Sequence, residues 1–342
     1  MINLNIVWFL LIGVLIIGYA ILDGFDLGVG IIHLFTQDEN EKRVNINSIG
    51  PIWDGNEVWL LTGGGALFAA FPIVYATVFS GFYLAFMLLL TALIFRAVSF
   101  EFRKYSETVK EKKRWDLAFG LGSFVPALLF GVAIGNILRG LPVELKDEKV
   151  VSSISFLGLL NPYALLIGVL SVLLFTMHGA IYLSMKSSGR QRDRMISLIN
   201  NTWIAFVVLY CIATIATFFV GPYLFKNMLD NLLFWFMFIL LFITIIFIPV
   251  AARMKKFGLA FISSSVMIAM MIGLAALSLF PRLVPSSINL QNSLTIYNAS
   301  SSPRTLITML YIALIGMPIV IGYTIFIYRV FRGNVLITND SY

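Results

Sequence analysis

Apolar runs long enough to cross a bilayer dominate this chain of 342 residues, and they constrain everything else about it. A helix needs about 20 mostly apolar residues to traverse a hydrocarbon core roughly 30 Å thick. Nine such runs can be read, at residues 6–34, 53–71, 74–100, 116–138, 159–184, 202–225, 231–252, 258–280 and 304–331. The expected fold class is all-α, with residues 1–342 forming one polytopic transmembrane domain of nine helices. Composition agrees. Hydrophobic residues make up 59% of the chain and charged residues only 12%, whereas a soluble domain carries roughly a quarter charged residues.

The second and third spans need a separate argument. Residues 58–95 are almost unbroken apolar sequence. As one helix they would extend roughly 57 Å, about twice the core thickness. Pro72 supplies a break, because it lacks a donor and disfavours helix at Phe71. A tight hairpin near residues 71–76 is expected.

Charge then orients the bundle. With nine spans, 17 of the 24 Lys and Arg fall on one side, in the first loop (Lys42, Arg43), in residues 103–114, 186–194 and 253–256, and at Arg329 and Arg332. Six fall on the other side: Arg139, Lys146, Lys149, Lys226, Arg282 and Arg304. By the positive-inside rule the N-terminus is outside and the C-terminus cytoplasmic. The net charge of +7 is therefore read as topology and contact with anionic lipid, not as nucleic-acid binding. Residues 1–5 lack the basic region of a signal peptide, and the first run is too long for one, so it is expected to remain as a helix. The longest polar connections are near 101–115, 139–158 and 281–303.

Little in the chain can carry redox chemistry. The single cysteine, Cys211, lies in an apolar run and is expected as a core thiol, with no disulfide. The only histidines, His33 and His178, sit near the cytoplasmic ends of their spans. They lack a third histidine or a ligand-type spacing. Hydrogen-bonded structure, or partnership with a helix C-terminus, is the stronger reading for both. No metal site, dinucleotide-binding motif or nucleophile motif is read, and no catalytic residue is assigned.

Function should instead show at the ionisable groups inside the membrane, which are costly and face protein or water. Asp23 and Asp26 are three residues apart in the first span and share a face. Asp23 lies roughly 16 Å from the cytoplasmic end near Leu34, close to mid-depth. The glycines at 24, 28 and 30 would let a neighbouring backbone approach. Asp54 and Glu57 open the second span, where Asp54 could cap the helix. Behind them, residues 62–66 form a small-residue face suited to tight helix contact. Arg96 ends the third span and Glu101 follows it. All six ionisable residues fall on the cytoplasmic half. Two readings stand: a proton route from the cytoplasm with Arg96 tuning the acids, or caps and ion pairs that hold the bundle.

Several segments resemble subunit II of the cytochrome bd-type quinol oxidases. The stretch Gly18-Tyr-Ala-Ile-Leu-Asp-Gly-Phe-Asp-Leu-Gly-Val-Gly30 is similar to the first helix of that family. Residues 47–72, containing Trp53-Asp-Gly-Asn-Glu-Val-Trp59 and Thr62-Gly-Gly-Gly-Ala66, are similar to its second. Residues 75–81, Phe95-Arg96, Gly122-Ser-Phe-Val-Pro126, Gly131-Val-Ala-Ile-Gly-Asn136, Leu160-Asn-Pro162 and residues 281–287 continue the match, collinear over nearly the whole chain.

The resemblance implies two four-helix bundles plus a peripheral helix, packed against a larger subunit I that bears haems b558, b595 and d and the quinol-oxidising loop. It implies reduction of dioxygen to water with electrons from quinol and protons from the cytoplasm. It also implies a small single-helix third subunit, and no haem held by this chain alone. Asp23 and Asp54 match family positions associated with proton supply, and Arg96 matches a buried arginine nearby. Glu57 departs from the pattern, since relatives often carry Gln there. Two other readings stay open: a stand-alone transporter or channel with intramembrane carboxylates, and a purely structural scaffold subunit.

Overall fold

Helices account for nearly all of the computed structural model, which describes residues 3–146, 149–226, 228 and 230–335. Met1 and the side chains of Lys146 and Lys149 lie outside the described residues. In chain order the elements are α1 (Leu4–Leu34), α2 (Glu39–Ile49), α3 (Trp53–Ala70), α4 (Pro72–Gly81), α5 (Tyr83–Lys104), α6 (Val109–Arg139), β1 (Val143–Lys146) and β2 (Lys149–Ser152). They continue as α7 (Phe156–Leu159), α8 (Pro162–Lys186), α9 (Gly189–Val220), α10 (Leu232–Arg253), α11 (Phe257–Leu279), β3 (Arg282–Val284), β4 (Leu294–Thr295) and α12 (Pro303–Val330). Among the described residues, eight helices are long and apolar enough to cross a membrane: α1, α5, α6, α8, α9, α10, α11 and α12.

The helix α3 falls short of that apolarity because Asp54, Asn56 and Glu57 occupy its first turns. It nevertheless reaches far along the bundle. Near its start Asn56 Nδ2 donates to the Leu22 carbonyl in the middle of α1 (3.1 Å). At its end the Ala70 carbonyl accepts from the Ser301 amide, in the loop before α12 (2.8 Å).

The tight hairpin expected near residues 71–76 is replaced by a short helix. Pro72 stops α3 and then serves as the first residue of α4, a position where its missing donor costs nothing. The chain turns into α5 only at Phe82, so the single span expected over 74–100 is divided between α4 and α5. The first loop also holds an unexpected helix, α2. Asp38 caps it by accepting from the Glu41 amide (2.9 Å), a start signal that polar loop composition obscured. The long connections carry two small antiparallel hairpins, β1–β2 and β3–β4.

Helix α1 is the axis of the molecule, packed by α3, α6, α8 and α11, with α5 on α6, α9 on α8 and α10 on α11. Gly28 and Gly179 form its closest crossing. A Cβ on Gly28 would run into the Phe175 carbonyl oxygen of α8, and one on Gly179 would lie 2.5 Å from the Gly28 carbonyl carbon. Only glycine at both positions lets the two backbones meet. The helix α12 lies outside, against α1 and α3, and Leu306 is its one buried residue.

The small-residue face of residues 62–66 finds no such neighbour. Nothing within the chain comes within 4 Å of a Cβ placed on Gly64 or Gly65. Cys211, expected as a core thiol, is exposed on α9. That helix is apolar on all sides along its second half, so hydropathy could not indicate which face is buried.

Candidate functional site

Two buried polar clusters sit at different levels along α1. The first is at mid-length, where Asp23 and Asp26 project from one face toward α5 and α3. Gly122 of α6 lets α5 approach so closely that an added Cβ would lie 2.8 Å from the Arg96 amide nitrogen, which fixes the depth of Arg96. The guanidinium then grips Asp23 with both forks, Nη1 to Oδ2 at 3.0 Å and Nη2 to Oδ1 at 2.6 Å. Arg96 Nη2 also lies 3.9 Å from Asp26 Oδ2. All three side chains are fully buried. Bidentate geometry of this kind is the strongest form of acid–guanidinium contact.

Asp26 is held from a different direction. Asn56 Nδ2 donates to its Oδ2 at 2.7 Å, and the Tyr328 hydroxyl on α12 donates to Asn56 Oδ1 at 2.9 Å. Asp26 Oδ1 has no hydrogen-bond partner among the described residues. The same holds for Arg96 Nε, Tyr19 Oη and Trp59 Nε1, all buried around this cluster. Buried polar atoms without a protein partner are as a rule met by ordered water.

The second cluster lies near the C-terminal end of α1 and centres on Asp116 of α6. His33 Nε2 lies 2.8 Å from Asp116 Oδ1, Lys42 Nζ of α2 donates to Oδ2 at 2.7 Å, and Arg103 Nε of α5 donates to Oδ1 at 2.5 Å. Arg103 also donates to Glu39 Oε1 at 2.9 Å. One carboxylate thus ties four helices together.

The structure brings together Asp23, Asp26 and Arg96 as one site, and separates the other three expected residues from it. Glu57 is half-buried on α3, within electrostatic reach of Arg96, Asp23 and Asp54. Asp54 is exposed in the first turn of α3, and no side chain makes a capping bond there, so the expected cap is not formed. Glu101 is exposed on α5, five residues beyond Arg96 and turned away from the buried face. Sequence reasoning missed Asn56, Tyr328 and Asp116. Asp116 had been taken as the start of a span, but α6 begins two turns earlier, at Val109.

His178 has both ring nitrogens engaged, whereas His33 has one, its Nδ1 being without a hydrogen-bond partner among the described residues. His178 Nδ1 pairs with Ser264 Oγ (2.7 Å), its Nε2 with the Ile21 carbonyl (3.1 Å), and its ring stacks on Phe261 (4.8 Å between centroids). Its partner Ile21 puts it level with the middle of α1, deeper than its expected place near a span end. His33 is committed to Asp116. Among the described residues no group of three or more His, Cys, Asp or Glu could hold a metal ion.

Fold and site together define a class: a multi-pass helical membrane protein whose interior polarity is concentrated in an acid–arginine cluster and an acid-centred helix clamp. The family described as Cytochrome bd terminal oxidase subunit II matches residues 4–331, and the chain belongs to it. It is 37% identical to the cytochrome bd-I ubiquinol oxidase subunit 2 of Escherichia coli (strain K12), covering 97% of this chain and 95% of that one. It is likewise 37% identical to the cytochrome bd ubiquinol oxidase subunit 2 of Bacillus subtilis (strain 168), covering 98% of each. The fold matches a chain of the bd oxidase from Geobacillus thermodenitrificans with a TM-score of 0.78 at 18% identity, over 96% of this chain and 99% of that one. The chain is thus subunit II of a terminal oxidase, a multi-pass protein of the bacterial cytoplasmic membrane. That membership sets aside the stand-alone transporter.

Proposed function

We propose that this chain partners a haem-bearing subunit I in oxidising quinol and reducing dioxygen to water, and that it supplies structural support and a proton route from the cytoplasm. The observation that carries the reading is the sealed Asp23–Arg96–Asp26 cluster, with unpaired polar atoms around it. A scaffold needs its buried charges matched, yet here two carboxylates share one guanidinium. Haems b558, b595 and d are assigned to subunit I, in keeping with the engaged nitrogens of His178 and the commitment of His33 to Asp116. A small single-helix subunit completes the proposed complex.

In this reading the chain is one transmembrane unit that crosses nine times, with α3 as the ninth crossing, the N-terminus outside and the C-terminus cytoplasmic. At 18 residues α3 is about 27 Å long, near the core thickness. Its contacts with mid-α1 at one end and with the loop before α12 at the other support a crossing. The outlying α12 is the peripheral helix beside two four-helix bundles. Exposed Asp54 belongs to the proposed route at the partner's side, because a carboxylate at that depth is costly against lipid and needs protein or water to face it.

The test is Asp23→Asn and Asp54→Asn in the purified complex, read by optical haem spectrum and quinol oxidase rate. A reduced rate at full haem content is expected for Asp54→Asn. Normal assembly, haem content and rate in both variants would overturn the proton route. Absence of haem and of a larger haem-binding chain from the purified complex would overturn the oxidase assignment itself.

A further inference from the structure

The two acids of the buried cluster are held in ways that suit different tasks. Asp23 has both oxygens in the fork of Arg96. Protonating it would break two charge-assisted bonds and leave a buried guanidinium whose next carboxylate oxygen is 3.9 Å away. Asp26 has no guanidinium of its own. One of its oxygens accepts from Asn56, and Oδ1 is unpaired among the described residues. An oxygen in that state can take a proton from water and return it with no other bond changing.

What aims Asp26 is the amide of Asn56, and a carboxamide can present either end. Facing Asp26 with its NH₂ stabilises a carboxylate there, while facing it with its oxygen sets two acceptors against each other unless the acid is protonated. The Leu22 carbonyl, which can only accept, turns the NH₂ toward itself and Asp26 Oδ2, and the Tyr328 hydroxyl holds that setting from the other end by donating to Asn56 Oδ1 at 2.9 Å. Tyr328 is half-buried and lies two residues before the end of α12, the least buried of the long apolar helices. The link therefore runs from the periphery of the molecule to a fully buried acid.

We propose that Tyr328, acting through Asn56, is a positioning residue for Asp26, and that Asp26 rather than Asp23 is the carboxyl that exchanges protons on the route. The inference rests on the proton-route reading given above. The charged and titratable groups facing Asp26 are Asp23 on α1, Glu57 on α3, Arg96 on α5, Tyr182 on α8 and Tyr328 on α12. A displaced pH–rate profile in a Tyr328 variant must be read against all of them, which is why Tyr328→Phe, uncharged before and after, is the informative change.

The experiment uses the intact complex purified with Asp26→Asn, Tyr328→Phe or Asn56→Ala, each measured for haem spectrum, quinol KM, kcat and the pH–rate profile. Asp26→Asn at full haem content is expected to lose most of kcat. Tyr328→Phe is expected to keep haem content and quinol KM, to lose roughly five- to ten-fold in kcat, the worth of one hydrogen bond, and to show a displaced pH–rate profile. Asn56→Ala should displace the profile in the same sense. A purely structural role would lower assembly or haem content without moving the profile. If Asp26→Asn turns over normally, the choice of Asp26 as the exchanging acid falls. If Asp26→Asn is slow while Tyr328→Phe and Asn56→Ala keep the wild-type profile, only the positioning inference falls. Should a variant fail to assemble, infrared difference spectra of the wild-type complex against Asp26→Glu decide whether the exchanging carboxyl band belongs to Asp26. A band that does not move assigns it elsewhere.

Discussion

The two polar clusters along α1 solve opposite problems. At mid-length, two carboxylates share one guanidinium and every side chain is sealed from solvent. At the α2 end, a single carboxylate, Asp116, collects Lys42, Arg103 and His33, while Glu39 on the rim is half exposed at 52%. Lys42 and Arg103 are matched there by Asp116 and Glu39, and these groups come from different elements, so the cluster acts as a staple. A deficit of cations in the interior leaves one acid uncompensated, and that is the acid proposed to exchange protons. The balance of charge, more than residue type, separates a clamp from a relay.

Substitutions can break this contrast, beginning with the largest effect. Arg96→Gln removes the only cation of the inner cluster and strands two buried acids. A loss of about 3–5 kcal/mol is expected, seen as a collapse in assembled complex or its melting temperature. Little change would mean that the inner acids are neutral in the assembled protein. Asp116→Asn should cost less, about 1–3 kcal/mol, because Arg103 and Lys42 can turn toward solvent. Its quinol oxidase rate per haem should stay near wild type, and a several-fold slower rate would erase the distinction between clamp and relay. Lys42→Ala removes one of the three donors on Asp116, and about 0.5–1 kcal/mol is expected, shrinking as salt is raised in thermal melts. Glu57→Gln, half-buried and unpaired with Arg96, should change the melting temperature least of all.

How far this arrangement could be read from sequence depends on the kind of residue. Asp23, Asp26 and Arg96 stood out because a charge in an apolar run is costly enough to demand an explanation. Asn56 and Tyr328 did not, since uncharged polar groups near a span end are ordinary and only tertiary contact reveals their partners. Glu101 lies off the buried face of its helix. The buried face of α5 carries Arg96, Ser99, Phe100 and Arg103, and position 101 points elsewhere. Asp54 likewise lies off the buried residues of α3, which are Asn56, Trp59 and Ala70. Hydropathy located the helices but could not resolve where Pro72 ends one and begins another, nor that α6 extends beyond its apolar part into the basic segment.

The crossing of α1 and α8 has a consequence for how anything could move through this protein. Gly28 and Gly179 seat one backbone on the other just two residues past Asp26, with no side chain between to cushion a shift. A helix seated in that way is located by its neighbour's backbone. On the proposed route, protons reach and leave Asp26 through rotating side chains and water. Adding a single methyl at position 28 would push α1 away from α8 and carry Asp23 and Asp26 out of reach of Arg96 and Asn56, with neither acid itself altered.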